Sequence, residues 1–273
     1  MKKLVLALVM IAAVITGRAQ TFEGTLAWSM KLEVTDPKAK AQMEEARKKA
    51  ADPANQAKMK EMQAKMNDPQ FKAMMDSNPQ MKAQMETMLK MMAGGDMSSM
   101  MPSAIVVKMK GTNTLTSIHG GIMDKNDLLY LSDKSTTYTI NHSSKTYMVM
   151  KNTTSPSTSE RKPKVTKTSE TAKILGYNCT KYIIENTTPD GKTVITNYWA
   201  TTEIKDIDLK ALAKQQMNKE QSFIYEDVEG VPLKIEVTMP QMGIMSMQAT
   251  ELKKESIPAS TFVLPAGYTE SKI

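Results

Sequence analysis

Residues 21–34 read TFEGTLAWSMKLEV, with Phe22, Gly24, Leu26, Trp28, Met30, Leu32 and Val34 at every second position and mostly Thr, Glu, Ser and Lys between them. A period of two over that length is the pattern of a strand with one buried face. Such a strand needs partners, and its nearest ones in sequence lie far downstream. From Asp36 to Met101 the pattern is helical, and strand patterns resume only from Ser103. The expectation is that the first strand joins the later ones in a single antiparallel sheet, with the helical stretch inserted between.

Upstream, MKKLVLALVMIAAVITGRA has Lys2 and Lys3, an apolar run from Leu4 to Ile15, and the small residues Gly17 and Ala19 before Gln20. That is the layout of a cleaved export signal over residues 1–19, with an apolar run shorter than the roughly 20 residues a membrane-spanning helix needs. No cysteine stands at the cut to carry a lipid, so the expected location is periplasmic or secreted. Losing Lys2, Lys3 and Arg18 takes the formal charge from +7 to about +4. So balanced a chain does not point to nucleic acid, which demands clustered Lys and Arg, though a weak membrane-surface contact stays open. The single cysteine, Cys179, excludes an internal disulfide.

The inserted stretch is a repeat. Asp36-Pro37, Asp52-Pro53, Asp68-Pro69 and Asn78-Pro79 mark helix starts at spacings of 16, 16 and 10 residues. In each, a capping side chain precedes a proline suited to the first helical position. Counted from the Asp or Asn, position six is always Ala (41, 57, 73, 83) and position eight always Met (43, 59, 75, 85). In the second copy positions eleven and fifteen are Met62 and Met66, and in the last Met88 and Met92, so the methionines form one edge of a short amphipathic helix. Of 26 methionines in the chain, 14 lie between Met43 and Met101, where Leu, Ile and Val are represented by Leu89 alone. Core packing accounts for methionine in general, since it fills irregular gaps. A stripe nearly free of branched aliphatics fits better a surface that remoulds around varied apolar partners.

From Ser103 onward short strand patterns succeed one another with turn signals at Asn141-His142-Ser143-Ser144, Pro189-Asp190-Gly191 and Glu229-Gly230. A polar loop covers residues 152–164, and DIDLKALAKQQM, residues 206–217, reads as one further helix. Serial strands with tight turns argue an antiparallel meander. The fold class expected is α+β: a curved antiparallel sheet forming an open half-barrel, a Met-rich helical insertion and one more helix. The expected division is residues 20–35 for the first strand, 36–101 for the insertion and 102–273 for the half-barrel.

Three stretches carry a resemblance. ETAKILGYNCTKYIIEN (170–186), GKTVITNYWAT (191–201) and IPASTFVLPAGY (257–268) contain a Gly-Tyr-x-Cys-x-x-Tyr run, a Trp-bearing strand and a closing Phe-x-x-Pro-x-Gly-Tyr. In these features the chain resembles the bacterial envelope family catalogued as domain of unknown function 4412, through Gly176, Tyr177, Cys179, Tyr182, Trp199, Phe262, Pro265, Gly267 and Tyr268. The resemblance covers the first strand and most of the strand-rich part, and the Met-rich insertion is not typical of it. It implies an architecture similar to the periplasmic lipoprotein carriers LolA and LolB, in which helices close a half-barrel over an apolar cavity. The Asp-Pro-Met helices are also similar in composition to co-chaperone repeats that hold hydrophobic clients.

Catalytic chemistry is thinly represented. Cys179 in a strand pattern reads as a buried inert thiol, and His119 and His142 have no ligand-type neighbour at metal-binding spacing. His119-Gly120-Gly121 echoes an esterase oxyanion motif, but no Gly-x-Ser-x-Gly turn accompanies it. The expectation is therefore a non-enzymatic protein without cofactor that binds an apolar ligand: a lipid, an acyl chain or a hydrophobic protein segment. The residues expected to line that site are Trp28 and Met59, Met62, Met66, Met74, Met75, Met81, Met85, Met88 and Met92. The alternatives are Cu(I) binding through the thioethers, or association of the helices with a membrane surface.

Overall fold

The computed structural model describes residues 21–77, 81, 85, 88, 89, 100–150, 163–187, 191–209 and 227–271. Among the described residues twelve strands form one open sheet: β1 Glu23–Val34, β2 Ala104–Lys110, β3 Asn113–His119, β4 Asn126–Leu131, β5 Thr136–Asn141, β6 Thr146–Met150, β7 Lys164–Ile174, β8 Tyr177–Thr187, β9 Thr193–Thr201, β10 Val231–Met239, β11 Gly243–Lys254 and β12 Thr269–Glu270. Among the described residues, three helices with defined bounds lie between β1 and β2: α1 Pro37–Ala51, α2 Pro53–Met66 and α3 Pro69–Ser77.

The strand order is β12-β6-β5-β4-β3-β2-β1-β11-β10-β9-β8-β7. The first strand is thus the middle of the sheet. On one side β2 to β6 run outward as a meander, and on the other β7 to β11 run inward as a second. β1 holds the two wings together, pairing antiparallel with β2 from Glu23↔Lys110 to Ser29↔Ala104 and with β11 from Gly24↔Lys254 to Val34↔Gly243. A fully antiparallel sheet was expected; the correction is β12, which pairs parallel to β6 through Thr269↔Thr146 and Glu270↔Tyr147. The chain reaches that edge by crossing the sheet from β11, so it arrives running the same way as β6.

The alternation of β1 sorts the sheet into two faces. Leu26, opposite Val107 and Leu252, and Trp28, opposite Ile105 and Ala249, lie on the face that carries the larger core, which extends through Ile235, Tyr198, Tyr182 and Ile184. The second core lies on the opposite face of the β3–β6 wing. There Leu129, Leu131, Tyr138 and Ile140 are covered by Ile257 and Phe262 from the segment that follows β11.

Glu23 fixes the start of that covering segment. Its Oε1 accepts from Lys110 Nζ at 2.9 Å and from the Ile257 amide at 2.7 Å, and Ser256 Oγ donates to the same oxygen at 3.2 Å. The Lys110 hydrogen bond first, and the Ile257 amide second, hold the Glu23 carboxyl below its ordinary value of 4.5. A depressed carboxylate contributes stability that is present above its unfolded value and lost as pH falls through the folded one. Glu23→Gln is therefore expected to destabilise the protein more at pH 7 than at pH 3, as urea denaturation at the two pH values would read. An equal loss at both would show that charge is not what holds the segment.

The Asp-Pro helix starts are built as the sequence implies. Asp36 Oδ1 accepts from Ala39 N at 2.8 Å, Asp52 Oδ1 from Ala54 N at 2.8 Å, and Asp68 Oδ1 from Gln70 N at 2.9 Å, each just ahead of Pro37, Pro53 or Pro69. The helices pack in chain order, α1 on α2 and α2 on α3, and among the described residues none packs closely on a strand. Neither α1 nor α2 buries any residue. The fourth start at Asn78-Pro79, the signal over residues 1–19 and residues 210–217 of the further helix expected at 206–217 lie outside the described residues.

Candidate functional site: the far half of the central strand

Burial along the apolar face of β1 falls from one end to the other. Leu26 and Trp28 are buried, whereas Met30, Leu32 and Val34 are only half-buried. Beside this uncovered half lies a groove of about 280 Å³ lined by Met30, Lys31, Leu32, Met101, Pro102, Ser103 and Met245. Three separate parts of the chain supply its walls. Met30 and Leu32 come from β1, Met245 from β11 directly opposite Leu32, and residues 101–103 from the stretch where the chain returns from the helices to the sheet.

The return is tightly held. Met30 N donates to Ser103 O at 2.7 Å and Ser103 N to His119 O at 2.8 Å. The two glycines after His119 wrap around it. Gly121 has φ +66°, and a Cβ there would stand 2.5 Å from Met100 O and from the Met101 carbonyl carbon. The His-Gly-Gly run is thus a steric allowance for the passing chain, and the oxyanion reading has nothing further in its favour.

Trp28, two residues before Met30 on the same face, is 6% exposed, and its indole Nε1 is buried with no hydrogen-bond partner among the described residues. A buried donor left unpaired costs about 1–3 kcal/mol. Of the expected site residues on the helices, Met59, Met62, Met66 and Met85 are half-exposed. Met74, Met81 and Met88 are 45%, 37% and 49% exposed, and Met75 is buried at 3%. Met92 lies outside the described residues. None of the described members of this set lines the groove. Sequence reasoning passed over Met30, Met101 and Met245, although Met30 stands in the alternation of β1 and Met101 at the end of the repeat.

Two other candidates resolve as structure. Cys179 is 1% exposed, and burial first of all pushes its thiol up to about 11, well outside the range of a reactive thiolate. His142 is more engaged than an ordinary turn histidine. Its Nε2 lies 2.8 Å from Asp127 Oδ2 and its Nδ1 2.9 Å from Tyr268 Oη, with the two rings edge to face. Tyr268 thereby fastens the end of the covering segment to the β5–β6 turn. The motif glycine Gly176, at φ +87° after Leu175 at φ +50°, supplies the tight hairpin between β7 and β8. Trp199 lies between Lys181 Nζ at 5.5 Å and Lys234 Nζ at 4.5 Å from its ring centre. Among the described residues no group of three His, Cys, Asp or Glu is placed to hold a metal, and no helix is long and apolar enough to cross a membrane.

No curated protein matches the chain. Among solved structures, that of PNGF-II is similar at 16% identity and a TM-score of 0.36, with 62% of this chain covered; the chain spans 28% of that structure's length. A family profile matches residues 61–268. The match begins inside α2, so it takes in the later part of the Met-rich repeat and leaves out β1. This reverses the expectation that the family resemblance includes the first strand and excludes the repeat. The chain belongs to the family described as domain of unknown function (DUF4412).

Proposed function

We propose that the protein is a non-catalytic exported binder of apolar molecules, in which the sheet, curved as a half-barrel in the manner of the LolA and LolB carriers, and the Met-rich helices enclose a lipid, acyl chain or hydrophobic protein segment. The observation that carries this reading is the state of the helices. α1 and α2 bury no residue, yet Met43 on α1 and Met59, Met62 and Met66 on α2 are less exposed than most of their neighbours. A helix that leaves its methionine edge half-covered has area left to bury, and covering what remains of each methionine contributes on the order of 1 kcal/mol before the costs of association. Thioether chains suit a partner of variable shape because they repack without strain. Export rests on the signal pattern of residues 1–19 alone.

The test is binding of an apolar fluorescent dye, together with mass spectrometry of lipid that co-purifies. The full chain is expected to enhance the dye. Replacing Met59, Met62, Met66, Met81, Met85 and Met88 with Gln is expected to weaken dye binding by on the order of tenfold or more while leaving the strand signal in circular dichroism unchanged. Dye binding that survives all six replacements would remove the helices from the site.

A further inference from the structure

We propose that the groove at the far end of β1 is a thioether site for a soft monovalent metal ion, Cu(I) or its redox-inert analogue Ag(I), with Met30, Met101 and Met245 as the ligands. The proposal stands apart from apolar binding by the helices and uses none of the helical methionines named for it.

Three features separate this trio from methionines that serve as packing. The first is accessibility: Met30, packed on the larger core on one side, and Met101 and Met245 are half-buried around an open space, whereas Met109 and Met247 are closed into the core at 0% and 7% exposure. The second is convergence. The three methionines come from positions 30, 101 and 245 and line one groove, with the backbones of Met30 and Met245 fixed by strand pairing and Met101 two residues from the paired Ser103. Leu32 pairs with Met245, Met30 N is bonded to Ser103 O, and the turn at Gly120 and Gly121 fits closely around residues 100–103. Backbones held in advance limit the freedom lost on binding, and the flexible thioether chains supply the remaining adjustment. The third is donor chemistry. The lining has no carboxylate and no imidazole, only the Ser103 hydroxyl and backbone oxygens as hard donors, so it suits Mg²⁺, Ca²⁺ and Zn²⁺ poorly, while neutral thioethers select soft ions such as Cu(I). The one charge in the lining is that of Lys31, which falls on the other face of β1 by strand alternation and disfavours a divalent ion more than a monovalent one. Binding here is donation of sulfur lone pairs to the ion, with no electron transferred and no proton released.

The experiment uses the full chain labelled with ¹³C at the methionine methyls, titrated with Ag(I) in chloride-free buffer. The three methyl signals are assigned from the single variants Met30→Leu, Met101→Leu and Met245→Leu. Leu is close in volume and polarity to Met, so these changes keep an apolar groove and remove only the donors. The expected result is that the three signals shift together, saturate at one equivalent, and do so ahead of the signals from the helices. The triple Leu variant is expected to keep its strand signal and its dye binding, and to lose affinity for Cu(I) by about tenfold or more in competition with bicinchoninate under anaerobic conditions. Helical methionine signals that move first, or a triple variant that binds Cu(I) as the native chain does, would overturn the site and leave the groove an apolar surface only. Loss of dye binding in the six-Gln helix variant with Ag(I) shifts unchanged would show that the two sites are separate.

Discussion

Leu26→Ala is expected to lower the unfolding free energy by about 2–5 kcal/mol, the range for a large-to-small change in a closed core. Leu26 has 0% exposure and stands between Val107 of β2 and Leu252 of β11. It is therefore among the few side chains that touch both wings of the sheet. The cavity it would leave lies at the seam where the two meanders meet, and neither wing can relax into it without breaking register with the other. Urea denaturation followed by tyrosine and tryptophan fluorescence should show an earlier midpoint. A loss under about 1 kcal/mol would mean the wings do not share a core at β1.

Phe262→Ala is expected to cost about 3–5 kcal/mol, and its effect should be local to the other wing. Phe262 is 6% exposed and, with Ile257, covers Leu129, Leu131, Tyr138 and Ile140. Its removal uncovers one face of β4 and β5 while the hydrogen bonds of Glu23 and Tyr268 at the two ends of the covering segment stay available. The expected sign is binding of a hydrophobic reporter dye and faster amide exchange in β4–β6 than in β8–β10. Uniform acceleration across all strands would show that this core is not separate from the larger one. Of the motif residues at the chain's end, Phe262 and Tyr268 have distinct roles on this view. The first closes a core, and the second ties the segment down through His142 and Asp127.

What the sequence made legible was local. The alternation from Phe22 to Val34, the Asp-Pro starts at 36, 52 and 68, and the tight turn at Leu175-Gly176 each encode a conformation within a few residues, and physical chemistry reads those directly. Partnership is encoded differently. Nothing in the alternation of β1 says that both its edges are taken, because alternation specifies a face and not a neighbour. β12 is two residues long and has no pattern to recognise. The bond from Tyr268 to His142 spans 126 residues, and neither residue type signals the other. The groove escaped for a related reason: Met30, Met101 and Met245 are unremarkable singly, and only the strand order together with the turn at Gly120-Gly121 brings them around one space. The helical methionines drew notice because repetition is visible in one dimension.

The central place of β1 also sets an order of events for a newly made chain. Thr25 and its hydrogen-bond partner Glu255 are 230 residues apart, and β1 meets β2 only after the whole helical stretch has been made. A strand synthesised first but paired last on one side carries an open edge through nearly all of translation, and pairing over such distances is slow. Until Gly243–Lys254 arrives, the two wings are two unfinished sheets with apolar faces exposed to one another's strands and to other chains. The early part of the sheet can assemble as the β1–β6 meander, and the later part as β7–β11, but joining them is a single late step. The rate of that step, more than the stability of either wing, decides how long the chain must be kept from aggregating.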